Sequence, residues 1–196
     1  MLTTTDLQRI LFGKTIVFAA RVGSQVYGCS TQGSDTDFVA VVEEPVIKNL
    51  LFGRDYNVTL YNPLEYQLAL NEQSLYALEA LWAPESHRMV CTRAWAWTLN
   101  GDKLKARVVA SSDADFAKGV KLIQADPDKA RKKVWHSLRT LLFARQLIED
   151  GHIRNFGAGV EDHWLELMTD PAPDSIEEFG TRWGKRRDHL KRILAY

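Results

Sequence analysis

The sequence predicts an α+β fold, with a small mixed β-sheet in residues 1–84 and a mainly helical lobe over residues 85–196. Two observations lead there. Short runs rich in β-branched and aromatic residues, bounded by glycines and turn-forming side chains, fall before Pro63. After Pro63 the pattern changes to helix, with Pro, Asn and Gly at segment ends. Strands gathered first and helices afterwards describe an α+β rather than an alternating arrangement.

Thr4–Leu11 reads as a short amphipathic helix with Asp6 near its start, stopped by Gly13. Thr15–Val22, apolar and β-rich between Gly13 and Gly23, has the pattern of a buried strand. Gly23–Ser34 holds glycines at 23, 28 and 33 among small polar residues, so it is a loop or a short helical turn plus loop. Asp35–Val42 is a strand with a polar mouth and an apolar far end. Pro45–Leu51 reads as one or two helical turns, and Tyr56–Tyr61 as a third strand. Asn62 as N-cap and Pro63 at the first helical position open a helix to Leu70. Ser74–Trp82 continues in that style and halts at Pro84. The stretch His87–Leu104 is ambiguous, because Trp95 and Trp97 alternate as on a strand within a helix-compatible context. Asp113–Gln124 and Asp128–Glu149 read as helices, the latter between Pro127 and Gly151, and Val160–Met168 and Ser175–Leu194 complete the set.

With 196 residues, 45% hydrophobic and 26% charged, the chain can bury an adequate core without disulfides or a structural metal. Its two cysteines, Cys29 and Cys91, lie far apart with no CxxC spacing, which argues for a reducing compartment and against a thiolate zinc site. No apolar run approaches membrane-spanning length and the N-terminus lacks a leader pattern, so the expectation is a cytoplasmic protein with no membrane partner. Basic and acidic residues balance at 25 each, unlike the basic excess of a strong nucleic-acid binder. Basic clusters do occur at Lys129–Lys133 and Arg182–Arg192, and their ordinary reading is two solvated helix faces.

The informative stretch is Gly23-Ser24, ten intervening residues, then Asp35-Thr36-Asp37, between one strand and the start of the next. A period of two puts Asp35 and Asp37 on one face. Two adjacent carboxylates repel each other unless a cation sits between them, and a hard divalent ion such as Mg²⁺ takes oxygen ligands. Gly23 lets the backbone approach a ligand closely, and Ser24 offers a hydroxyl and an N–H at a helix start, where anions are favoured. A phosphate cradle beside paired metal-binding carboxylates is what two-metal phosphoryl or nucleotidyl transfer requires.

The run Gly23 to Phe38 resembles the signature of DNA polymerase β-like nucleotidyltransferases. More narrowly, Gly23-Ser24-x-x-Tyr27-Gly28 and Ser34-Asp35-x-Asp37 resemble the subgroup associated with RNA-repair ligases. Asn57-Val-Thr-Leu-Tyr, then Leu75–Pro84 with Glu79, Leu81 and Pro84, is similar to that subgroup's third strand and following helix. Lys133–Arg139 running to Leu147–Ile153 is similar to its C-terminal helix. The resemblance implies a nucleotidyltransferase core in which Asp35 and Asp37 hold Mg²⁺ or Mn²⁺. Gly23, Ser24 and Ser34 then meet the phosphates of an NTP, with Lys132, His136 and Arg139 as further phosphate contacts. An acceptor hydroxyl, on an RNA end or, in antitoxin-like relatives, on a protein, attacks the α-phosphorus and pyrophosphate leaves. The family expects a third carboxylate on the neighbouring strand. Asn57 occupies that place, and Asp55, two residues earlier, is the acid that a register shift would bring in.

Lys132, His136 and Arg139 are spaced to share one face of the long helix, for phosphate contact or as solvated surface. Arg21 either reaches a phosphate or caps its strand. His87, His152, His163 and His189 lack metal-ligand spacing and read as surface residues. The tryptophans at 82, 95, 97, 135, 164 and 183 read as core or lobe-interface anchors rather than a base-stacking platform.

Overall fold

The structure is a computed structural model that describes residues 3–47, 49–170 and 175–195. The chain divides into two compact units, Met1–Thr98 and Leu99–Tyr196.

In the first unit, α1 (Thr4–Ile10) is fixed by a capping box: the Thr3 hydroxyl accepts from Asp6 N at 3.2 Å and the Asp6 carboxylate accepts from Thr3 N at 2.8 Å. Then follow β1 (Ile16–Val22), the one-turn helix α2 (Ser24–Tyr27), β2 (Thr36–Val42), β3 (Leu50–Phe52) and β4 (Tyr56–Tyr61). Next come α3 (Pro63–Asn71), α4 (Leu75–Leu81), a 3₁₀ turn at Glu85–His87 and β5 (Arg88–Cys91). The five strands form one mixed sheet in the order β3-β4-β2-β1-β5, with β2 and β4 parallel and the other neighbours antiparallel. Asp37 stands level with Val22 on one side and Asn57 on the other.

Strand alternation sorts the two faces. Ala19, Phe38, Ala40, Val42, Val58 and Leu60 form an apolar core with Leu7 and Leu11 beside α1. The opposite face carries Phe18, Asp37, Val39, Asn57 and Thr59, and is covered by α3 and α4: Tyr66 stacks on Phe18 with centroids 5.3 Å apart. α3 is anchored by Asn62 and Glu65, which exchange capping bonds of 2.9 Å in each direction.

In this unit one local expectation changes. The described residues of the segment 45–51 are not helical, and Lys48 lies outside the described residues. Leu50–Phe52 instead pair with Thr59–Asn57, and Gly53–Asp55 make the turn of a hairpin that satisfies their backbone groups. In the ambiguous stretch after His87, β5 adds a strand at the sheet edge and carries the first unit through Thr98.

The second unit is helical: α5 (Gly101–Leu122), α6 (Pro127–Asp150), a π-helical turn at Val160–Trp164, α7 (Leu165–Thr169) and α8 (Ile176–Ala195). α5 starts well before the expected Asp113 because Asn100 caps it, its side chain accepting from Lys103 N at 3.0 Å. Leu104, Val108 and Phe116 of α5 and Val134, Leu138 and Leu141 of α6 are buried. A Cβ on Gly119 would lie 2.9 Å from the Ala130 carbonyl oxygen, so glycine permits the close crossing of these two helices. Among the described residues no helix is long and apolar enough to cross a membrane.

Candidate active site

β1 delivers the chain to Gly23 at the end of the sheet where β2 and β4 begin. Gly23 adopts φ 83°, ψ −169°, a region that only glycine enters without strain. Its Cα also faces Asp37: a Cβ there would stand 2.9 Å from Asp37 Cβ and Cγ and closer still to Oδ2. Gly23 therefore has two independent reasons to lack a side chain, and the second places the turn directly against one carboxylate.

The α2 turn is tied down on both sides. Gln25 Nε2 donates to Thr36 Oγ1 at 3.0 Å, joining it to the first residue of β2. The Tyr27 hydroxyl donates to Glu79 Oε2 of α4, and both side chains are about 99% buried, each being 1% exposed. Ser24, at the head of α2, is half-buried.

Asp35 lies immediately before β2 and is exposed, whereas Asp37 is half-buried at the second position of the strand. The two converge on Asn57. One amide nitrogen, Asn57 Nδ2, donates to Asp35 Oδ2 and, at 3.0 Å, to Asp37 Oδ1. The shared-face reading of the two acids thus has a geometric counterpart: a donor hydrogen-bonds both from the position where a cation would neutralise them. This set suits a hard divalent ion, since both carboxylates offer oxygen and the Asn57 amide, rotated about its terminal bond, offers a third. Among the described residues no group of three or more His, Cys, Asp and Glu side chains gathers in metal-binding fashion.

Asp55 falls in the turn before β4 rather than on the strand, with an exposed side chain. Its backbone carbonyl accepts from Thr36 N at 3.0 Å. The residue level with Asp37 is Asn57, so the register shift that would have brought Asp55 onto this face does not occur. Ser34 closes its own turn, its hydroxyl accepting from Thr31 N at 2.9 Å. Arg21 pairs with Phe38 and so lies on the sheet face opposite Asp37. It is buried there, which lowers its pKa, and its charge helps to lower that of the partly buried His87.

Sequence reasoning missed Tyr76. Burial raises its pKa, with Asp37, Glu79 and Tyr61 adding to the effect, while a hydrogen bond to Thr59 opposes it. The tyrosine thus belongs to the surroundings of Asp37. The available signal was the helical spacing from Tyr76 to Glu79, which puts both on one side of α4.

Lys132, His136 and Arg139 belong to α6 in the second unit. Lys132 is exposed, His136 is half-buried, and the buried Arg139 guanidinium lies 5.3 Å from the Phe143 ring centroid. Burial pushes the His136 pKa down to about 3, and the positive charges of Arg139, Lys133 and Lys132 add to the shift. The face they share therefore runs from solvent into the helical core, unlike a wholly solvated surface. Of the tryptophans, Trp135, Trp164 and Trp183 are buried anchors as expected, but Trp82, Trp95 and Trp97 are only partly covered and line a concavity in the first unit.

No protein-family model matches the chain, and no curated protein matches it.

Proposed function

We propose that the chain is a metal-dependent nucleotidyltransferase with a DNA polymerase β-like core, moving a nucleoside monophosphate from an NTP to a hydroxyl acceptor. The observation that carries the reading is the convergence of Asp35 and Asp37 on one amide nitrogen, with Asp37 packed against the Gly23 turn. The order β1, glycine-headed turn, β2 with its acid pair, and a parallel β4 supports the same core.

Asp35 and Asp37 would hold Mg²⁺ or Mn²⁺, which when bound supplies positive charge against the triphosphate and the charge that develops during transfer. The Gly23-Ser24 turn brings backbone close to the phosphates, and the Ser24 hydroxyl orients them. Attack by the acceptor oxygen forms a new bond to the α-phosphorus as the bond to the bridging oxygen breaks and pyrophosphate leaves. The hydroxyl proton passes to the exposed Asp35 carboxylate or to water, because the Asn57 amide is not a base. An RNA end is the acceptor that the sequence resemblance favours, and the zero net charge favours a protein hydroxyl. A second reading, motivated by Asn57 where an acid is expected, is a nucleotide-binding module without transferase activity.

Each radiolabelled NTP, with Mg²⁺ or Mn²⁺ and with RNA or protein acceptors, tests these readings. Label transfer with pyrophosphate release, reduced by ~10²-fold or more in Asp35→Ala and Asp37→Ala, is the expected result. Nucleotide binding without transfer to any acceptor would support the binding module instead.

A further inference from the structure

A separate concavity of about 280 Å³ lies in the first unit, lined by Phe18, Trp82, Arg88, Arg93, Trp95 and Trp97 among others. It opens beside the edge strand β5, at the opposite end of β1 from Gly23. Phe18 and Val22 share a strand face four residues apart, which puts the concavity ~13 Å along β1 from the level of Asp37.

Its chemistry is not that of a core. The indole N–H groups of Trp95 and Trp97 are shielded from solvent and have no hydrogen-bond partner among the described residues. Atoms closed to a water-sized probe are closed to a ligand atom in the concavity as well, so these indoles offer a ligand their ring surfaces rather than their N–H groups. The Arg93 guanidinium sits 5.0 Å from the Trp95 ring centroid. Trp82 and Trp97 meet edge to face at 6.1 Å, and Trp95 meets Tyr66 in the same way at 4.9 Å, so the rings stand as fixed walls. Among the described lining residues two are cationic and none is acidic.

Indole surfaces favour a flat ring, and guanidinium groups favour phosphate. We propose that this pocket binds a nucleotide base together with its phosphate, presented either by a free mononucleotide or by the end of a strand. Its volume, just below the usual range for ligand pockets of roughly 300–1,000 Å³, suits one nucleotide and excludes a duplex. The site depends on neither Asp35 nor Asp37, and so stands independently of the transfer reaction.

The pocket contains its own reporter. Cys91 lines it and is exposed, whereas Cys29 is buried. Alkylation of Cys91 by iodoacetamide is followed by mass spectrometry on the full chain in EDTA. The arms are the four nucleoside monophosphates, the four nucleosides, inorganic phosphate and a short single-stranded RNA. At least one monophosphate or the RNA is expected to slow alkylation, more strongly than its nucleoside or phosphate alone. Protection by the RNA alone assigns a strand end, and protection by a monophosphate assigns the free nucleotide.

Arg93→Gln and Trp97→Leu, each confirmed as folded by its circular dichroism melt, are expected to raise the protecting concentration by about tenfold. Asp37→Ala is expected to leave protection unchanged. Absence of protection by every millimolar probe would overturn the proposal. So would protection unaffected by both pocket substitutions, or protection lost in Asp37→Ala, which would place the ligand at the carboxylates.

Discussion

Asn57→Asp probes the carboxylate pair at its centre. In the wild-type protein one amide nitrogen hydrogen-bonds Asp35 and, at 3.0 Å, Asp37. Aspartate removes both donors and adds a third negative charge among oxygens that are already close. A hydrogen bond to a charged group contributes ~1.5–3 kcal/mol, and the exposure of Asp35 puts its share at the bottom of that range or below. Carboxylates ~4 Å apart repel by ~4 kcal/mol at an effective dielectric near 20, less where solvent or protonation relieves them. A net loss of ~2–4 kcal/mol is expected in EDTA at neutral pH. At ~5 °C per kcal/mol for a unit of this size, the melting temperature falls by roughly 10–20 °C.

Two signatures distinguish this electrostatic cause from simple misfit. Like-charge repulsion raises carboxylate pKa values in the folded state above their unfolded values. Its relief is therefore complete below the unfolded pKa and disappears as pH rises, so the variant's deficit grows from pH 4 to pH 7. Mg²⁺ or Mn²⁺ at a hundred times its dissociation constant restores ~2.7 kcal/mol. Circular dichroism melts of both proteins, in EDTA and in Mg²⁺, at pH 4 and pH 7, give the comparison. A variant that melts with the wild type in EDTA, or that gains no more from Mg²⁺ than the wild type does, refutes the argument.

Other substitutions test neighbouring parts of the structure. Gly23→Ala meets both the positive φ and the contact with Asp37, so urea unfolding is expected to show a loss of ~1–3 kcal/mol, with ligand binding at the carboxylate site weakened as well. Tyr27→Phe deletes the hydroxyl bonded to the buried Glu79 carboxylate and is expected to cost ~1–3 kcal/mol in the same assay. His136, with its folded pKa near 3 against a reference of 6.5, contributes stability that is fully present above pH 6.5. That contribution is lost as pH falls toward 3, by at most ~1.4 kcal/mol per pH unit, and His136→Phe is expected to flatten this acid limb. Its imidazole proton resonances are expected to stay constant from pH 8 to pH 5, so a midpoint near 6.5 would refute the burial argument.

The sequence discloses β1, β2, β4 and α6 because each combines an unmixed period with a clear boundary residue. Val17 to Val22 and Phe38 to Val42 are nearly continuous apolar runs, and Pro127 and Gly151 bracket the longest helix. β3 is opaque for the opposite reason. Three residues are too few to display a period, and what makes them a strand is pairing with β4 across Gly53–Asp55. The early start of α5 is masked by Ser111-Ser112-Asp113, which imitates a helix cap in the middle of a helix. Of the site, the acid pair and Gly23 are legible because a turn and a period of two are local properties. Asn57 and Tyr76 are brought to Asp37 by the parallel register of β2 with β4 and by the packing of α4, neither of which is a property of a short window.

That difference bears on how the turn is held. A four-residue helix has almost no stability of its own, because nucleation consumes the few hydrogen bonds it can make. Its position must come from outside, and the structure supplies three attachments in different directions. Gln25 reaches Thr36 on β2, Tyr27 reaches Glu79 on α4, and Gly23 is packed by Asp37 from the adjacent strand. Two of the three meet β2 at or beside the acid pair, so displacement of the turn and displacement of Asp37 are one event. Loss of Tyr27's hydroxyl, though it touches neither carboxylate, should therefore loosen the geometry at Asp37. In a double-mutant cycle Tyr27→Phe and Gly23→Ala are expected to be non-additive in stability by ~0.5 kcal/mol or more. Strict additivity would mean that the turn is positioned by its own backbone, and that the buried tyrosine–glutamate pair serves only to join α2 to α4.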